Sequence, residues 1–268
     1  MKYDAYTLKW IAIIGMVLNH MVFAWWEVLP RWLAFPLYAA GGVTFPIMAY
    51  FVVEGYKHTS NLKRYFLRLF IFGLISIPFH ILVFRGGLGM NILFTIILSL
   101  FALIMYDKIK VRVIFWISFI LLLVVSTLFL MDWYIIGPIV VLMYHIIKKE
   151  GTRRFLPGIV AGAFWFVFLG LALISLIHVE AMIEAGYDID IEAAASGMAV
   201  DFFNVEFFTV GLTFLIGCIL GAFLVHGYNG ERGKRMKWVF YAFYPIHLAV
   251  LAIVSLALGL IDFSLLGL

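Results

Sequence analysis

Two histidines stand where an ionisable side chain is expensive. His20 falls thirteen residues after Thr7 within TLKWIAIIGMVLNHMVFAWW, and His247 falls ten residues after Lys237 within KWVFYAFYPIHLAVLAIVSLALGL. At 1.5 Å per helical residue, those positions lie ~20 Å and ~15 Å inward from one side. Buried in lipid, such a group faces a cavity or a partner. An imidazole ionises near neutrality, so it can take a proton from an attacking amine or hydroxyl, or carry an acyl group itself. Lys9, His20 and Glu27 share one helical line to within about 20°, and Asn19 is the chain neighbour of His20. Tyr244 precedes His247 by three residues and lies on the same face. For His247, an aromatic box that merely packs the ring is an equal reading.

A second set of residues is basic. Positions 45–68 read FPIMAYFVVEGYKHTSNLKRYFLR, so Glu54 is followed by Lys57, His58, Lys63, Arg64 and Arg68. Glu54 is placed to cap the end of the second helix, and Thr59 or Ser60 to cap the start of the third, whose free amides favour an anion. Arg64 and Arg68 are one turn apart on one face. This cluster suits the polyphosphate headgroup of an acyl-CoA donor arriving from the cytoplasm. Anionic lipid headgroups suit it as well. In the fourth apolar segment Asn91, Thr95 and Ser99 are spaced i, i+4, i+8. Such a line either glues helices together or faces a substrate. With Asp132 and Tyr244, Asn91 and Thr95 complete the candidate acceptor-binding set.

The elements that hold these groups are dictated by composition. Of 268 residues 65% are hydrophobic and only 13% charged, with a mean hydropathy of +1.10, so the solvent for most of this chain is lipid. Aromatic residues at 18% suit two membrane interfaces. Backbone groups in lipid must be satisfied within the segment, which selects helices, and barrel-type alternation is absent. The expected fold is an all-α polytopic bundle forming a single domain over 1–268. Its nine spans fall near 8–28, 34–54, 61–84, 90–106, 112–131, 133–148, 155–179, 207–227 and 238–261. The first is read as retained, because no small-x-small cleavage site follows it. With the N-terminus in the cytoplasm, all but two of the 19 Lys and Arg fall on the cytoplasmic side, the exceptions being Arg31 and Arg85. That charge distribution belongs to membrane-edge loops and not to nucleic-acid binding. Residues 180–206 carry seven acids and no Lys or Arg, as an outer loop or a re-entrant piece. The single Cys218 offers neither disulfide nor metal cluster, so no metal is expected.

Six stretches carry a resemblance. LKWIAIIGMVLNH (8–20), GGVTFPIMAYFVVEGYKHT (41–59), LKRYFLRLFIFGLIS (62–76), MNILFT (90–95), DWYIIG (132–137) and KWVFYAFYPIHL (237–248) resemble the TraX family, in the same order. The most specific part is the EG-(Y/F)-x-H-T-x-(N/S)-x-x-x-Y-x-x-R-L block, and the likeness fades around 150–230. The family takes its name from an F-pilin N-acetylating membrane protein and is related to multi-helix membrane acyltransferases. The resemblance therefore implies transfer of an acyl group, typically acetyl, from cytoplasmic acetyl-CoA. His20 matches the family's first-helix histidine. Asn19 stands where relatives usually carry an acid, so an acidic partner for the ring is either elsewhere or missing. Gly42 stands where relatives often carry arginine.

The resulting expectation is an acetyl-CoA-dependent acyltransferase of the inner (plasma) membrane. His20, Asn19 and His247 are its candidate catalytic residues. Its acceptor is an N-terminal α-amino group of a pilin-like peptide or lipoprotein, or alternatively a glycolipid or sugar hydroxyl. A proton-coupled carrier would also use midplane histidines, although no internal repeat of broken helices supports one. A passive assembly factor would need no such histidine.

Overall fold

The computed structural model describes residues 2–84, 89–184 and 205–261, and the described residues form nine helices. These are α1 (Ala5–Trp25), α2 (Arg31–His58), α3 (Leu62–Val83), α4 (Ile92–Lys108), α5 (Arg112–Leu128), α6 (Ile136–Ile146), α7 (Glu150–Glu184), α8 (Val205–His226) and α9 (Lys237–Ala257). The acidic stretch expected at 180–206 lies outside the described residues from 185 to 204.

Three helix starts are fixed by side chains that accept from the first turn. Asp4 accepts from Thr7 N at 2.7 Å, Asn61 from Arg64 N at 2.9 Å and Asn91 from Leu93 N at 3.1 Å. The cap of α3 is thus Asn61, not Thr59 or Ser60. Glu54 likewise does not cap α2, which runs one turn further to His58.

The chain runs up and down. At one end Lys2 N donates to Gly227 O, Tyr56 meets Asp107, Asp107 meets His145, and Arg153 meets Glu54. These contacts gather the start of α1 with the α2–α3, α4–α5, α6–α7 and α8–α9 junctions. That end therefore carries the basic residues that the sequence distributes among these connections. At the opposite end Arg31 bonds the Trp26 carbonyl, and Trp25 Nε1 donates to Ser255 Oγ at 2.9 Å.

Helices 1, 2, 7 and 8 approach closely because small residues line their contacts, as association in lipid requires. A Cβ added to Gly217 would collide with the Ala39 carbonyl, and one on Gly42 would lie 2.5 Å from the Phe214 carbonyl. Gly158 and Gly162 do the same for α7 against α8, with Ala222 Cβ and Cys218 Cβ at 2.9 and 2.8 Å.

Five helices among the described residues are long and apolar enough to cross a membrane: α1, α2, α3, the Phe208–His226 part of α8, and α9. The protein is accordingly a multi-pass membrane protein. The expected span at 133–148 needs correction. Helix α6 has 11 residues, which rise ~16 Å, about half the hydrocarbon thickness. The residues before it form a tight turn instead, with φ of 46° at Leu130, 65° at Trp133 and 34° at Tyr134. Asp132 N donates to Met90 O, and Ser126 Oγ donates to Tyr134 O at 2.7 Å. This turn carries Asp132 to the end of α3.

Candidate functional site

The two histidines meet. His20 Nδ1 and His247 Nε2 are 2.8 Å apart, although 227 residues separate them. Their ring centres are 5.0 Å apart and the planes differ by only 20°. Face-to-face stacking does not fit a short N···N contact at that spacing. The rings are instead nearly coplanar and point edge to edge, the geometry of an in-line hydrogen bond. His247 Nδ1 is held in turn by the Phe243 carbonyl at 2.9 Å, one turn back on α9. His247 is buried and His20 half-buried. The equal depth expected for these two residues is therefore realised as direct contact.

Three further groups close around them. Tyr244, 4% exposed, has its ring 6.4 Å from His20 and 5.4 Å from His247. Its hydroxyl is buried and has no hydrogen-bond partner among the described residues. His80 from α3 is 4% exposed, and only the Phe84 ring separates it from His20, at 4.5 Å from one and 5.3 Å from the other. Asp132 Oδ2 lies 3.6 Å from His80 Nε2, a buried nitrogen with no closer partner. His80 is not among the candidate residues read from the sequence, and the structure brings it beside His20 through the shared Phe84 ring. A histidine that packing brings within 3.6 Å of an acid 52 positions along the chain is invisible in a one-dimensional count.

Asn19 does not join this centre. Its side chain lies against Gly41 of α2, and no hydrogen bond links it to either imidazole among the described residues. The partner that His20 needs is His247. Asn91 and Thr95, expected to meet the acceptor, are buried and already engaged. Asn91 Nδ2 donates to Gly73 O and Thr95 Oγ1 to Asp132 O. They brace α3, α4 and the Asp132 turn, which is the gluing role open to such a line.

The basic cluster divides in two. Glu54 faces α7, with Arg153 Nη2 at 3.8 Å and His58 Nε2 at 3.6 Å. Lys57, Lys63 and Arg64 are exposed. Arg68 alone turns inward, its guanidinium 5.3 Å from the Tyr241 ring of α9 and 6.0 Å from Tyr65. Lys9 lies between the rings of Phe51 and Phe240, at 5.0 and 5.6 Å. Helix α1 packs mainly on α2 and touches α3 and α9 more lightly, while α3 and α9 pack on each other, so these three helices meet along one seam. Along that seam Lys9 precedes His20 by eleven residues, or ~16 Å, and Arg68 precedes His80 by twelve, or ~18 Å. Cations thus line one level and imidazoles the next.

Sequence reasoning missed a second polar cluster at the basic end. Arg153 Nη2 donates to Glu150 at 3.0 Å and Tyr50 Oη at 3.2 Å, and Arg154 Nε donates to Glu150 at 2.6 Å. Arg154 Nη1 also donates to Tyr228 O at 2.7 Å. Nearby, Asp107 binds Tyr56 at 2.7 Å and His145 at 2.8 Å. The i, i+3 and i, i+4 spacing of Glu150 with Arg153 and Arg154 was the available signal.

Fold and site together define a polytopic helical membrane protein with a buried imidazole pair. The sequence profile described as "TraX protein" matches residues 4–255, and the chain belongs to that family. It is also similar to the "Probable fimbrial assembly protein FimC, serogroup H1" of Dichelobacter nodosus, 34% identical over 134 residues. That match covers 44% of this chain and 54% of the relative, so the chain spans about half the length of the relative it matches. No solved structure matches.

Proposed function

We propose that the protein moves an acyl group, typically acetyl, from a cytoplasmic CoA thioester to an acceptor at the outer side of the inner membrane. The single observation that carries this reading is the hydrogen-bonded pair of His20 and His247, in which Nε2 of His20 is bonded to no described residue. With the basic end in the cytoplasm, Arg68 and Lys9 meet the donor's phosphates and the thioester arm reaches along the seam toward His20. An acceptor amine then attacks the thioester carbonyl. Its proton passes to His20, the C–N bond forms, the C–S bond breaks, and the thiolate leaves to become free CoA on protonation. Asp132 and Tyr244 stand on the acceptor side. An α-amino group of a pilin-like peptide or lipoprotein is the first acceptor class, which agrees with the fimbrial name of the relative. A sugar hydroxyl is the second. The same fimbrial name favours a non-enzymatic part in assembly as the rival reading.

Incubation with labelled acetyl-CoA decides between them. Purified protein in nanodiscs should release free CoA and label an acceptor only when the acceptor fraction is present. Assembly without any acceptor-dependent CoA release would overturn the enzymatic reading.

A further inference from the structure

We propose that His247 is a positioning residue: it fixes the tautomer of His20, so that Nε2 of His20 is the atom that accepts the proton. A carbonyl oxygen only accepts, so the 2.9 Å contact with Phe243 O places N–H on Nδ1 of His247. Neutral His247 then has only a lone pair at Nε2. The nitrogen 2.8 Å from it, Nδ1 of His20, must donate. In neutral His20 the lone pair therefore lies at Nε2, and no described residue bonds to that atom. Reversing the polarity would require both nitrogens of His247 to carry protons. That puts an imidazolium in a buried position against Phe243 and Tyr244 on its own helix and His20 on α1, with no acid paired to it among the described residues. An isolated charge there is costly.

The arrangement does more than hold a ring still. When Nε2 takes the acceptor's proton, Nδ1–H of His20 still donates to Nε2 of His247, and that hydrogen bond becomes charge-assisted. The interaction thus strengthens as the reaction proceeds, which is the condition for lowering a barrier and not merely binding a substrate. The kinetic part of this inference rests on the acyl-transfer reading, and the tautomer does not.

Nitrogen-15 NMR of histidine-labelled protein in nanodiscs tests it, with His20 assigned by the signals missing in His20→Gln. The expected spectrum shows His20 with a protonated Nδ1 and a bare Nε2. His247→Gln, whose amide oxygen can stand where Nε2 stood, keeps that pattern and most of the rate. His247→Leu loses it, and kcat falls by ~10–100-fold with KM for the donor unchanged, the scale for losing a group that orients a functional imidazole. A proton on Nε2 of His20 in the unmodified protein overturns the proposal, as does a leucine variant that keeps both tautomer and kcat. If that variant does not fold, the unmodified and glutamine spectra decide alone. If no acyl transfer is found with any acceptor, the spectra still decide the tautomer, so the two ideas fail separately.

Discussion

The basic mouth and the histidine centre are both clusters of polar side chains, yet they are wired differently. At the mouth, charges are matched: Arg153 with Glu150 and Glu54, Arg154 with Glu150, and Asp107 with His145. The links Arg153–Glu54 and Asp107–His145 tie the end of one helix to another, and the two Glu150 pairs brace the first turn of α7. At the centre the groups form a one-way chain, from Phe243 O through His247 to His20, which ends on an open nitrogen. Tyr244 Oη and His80 Nε2 beside it are buried without a good partner, whereas the unpartnered mouth atoms Arg153 Nε and His145 Nδ1 belong to side chains already paired through another nitrogen. A matched network costs little to keep and does nothing further. Buried groups left unmatched cost stability, and that cost calls for a reason beyond folding. The comparison assigns structure to the mouth and chemistry to the centre.

The largest expected effect follows directly. His20→Gln keeps size and hydrogen bonding but cannot take a proton, so acyl transfer should fall by ~10²–10⁴-fold. Donor binding, measured by calorimetry in detergent, should persist. Robust turnover by this variant would demote His20 to a packing residue. At the mouth the balance reverses. Arg154→Met keeps the packing of the stem but removes charge-assisted bonds to Glu150 and the Tyr228 carbonyl, for about 1.5–3 kcal/mol of stability. A thermal melt should show that loss while the surviving protein keeps its transfer rate. If transfer is lost without any change in melting, the division between the two regions is wrong.

The elements themselves were legible because lipid leaves few choices. Apolar length, positive charge at alternate junctions and the depth of His20 and His247 are all properties of one helix at a time. What was hidden depends on how helices face each other. His80 lies near the end of its span by count, and only the φ > 0 turn at 130–134 shows that Asp132 reaches it. Asn19 is adjacent to His20 in sequence, but neighbours on a helix point about 100° apart, and its face is taken by Gly41. The basic cluster looked like one pocket because its members are close in the chain. Tertiary contacts split it, sending Glu54 to α7 and Arg68 to α9.

That split sharpens the donor site. Arg64 and Arg68 share a helical face, but only Arg68 lies against aromatic rings at the seam, and Arg64 is exposed. Arg68→Ala should weaken acetyl-CoA binding by about 1.5 kcal/mol or more, the scale of a charge-assisted hydrogen bond. Arg64→Ala should change it by less than about 1 kcal/mol, as for an exposed and screened charge. Calorimetry in detergent reads both. Equal losses would mean that the cluster acts as a diffuse surface charge, the behaviour of a lipid-headgroup site.

The smallest effect belongs to a polar contact that faces water. Asp4 accepts the Thr7 N–H at 2.7 Å, and this bond holds its carboxyl below the usual value against the weaker pull of burial. A depressed carboxyl contributes stability above its unfolded pKa, and the contribution disappears as pH falls through the lowered folded value. Asp4→Ala should cost about 0.5–1 kcal/mol at neutral pH, the low end for an N-cap. Asp4→Ser keeps a cap that does not titrate, so its stability difference from the unmodified protein should drift in favour of serine on acidification below about pH 4. Melting curves of the two proteins across that range supply the measurement. A pH-independent difference would show that the carboxylate is not engaged at the start of α1, where the structure places it.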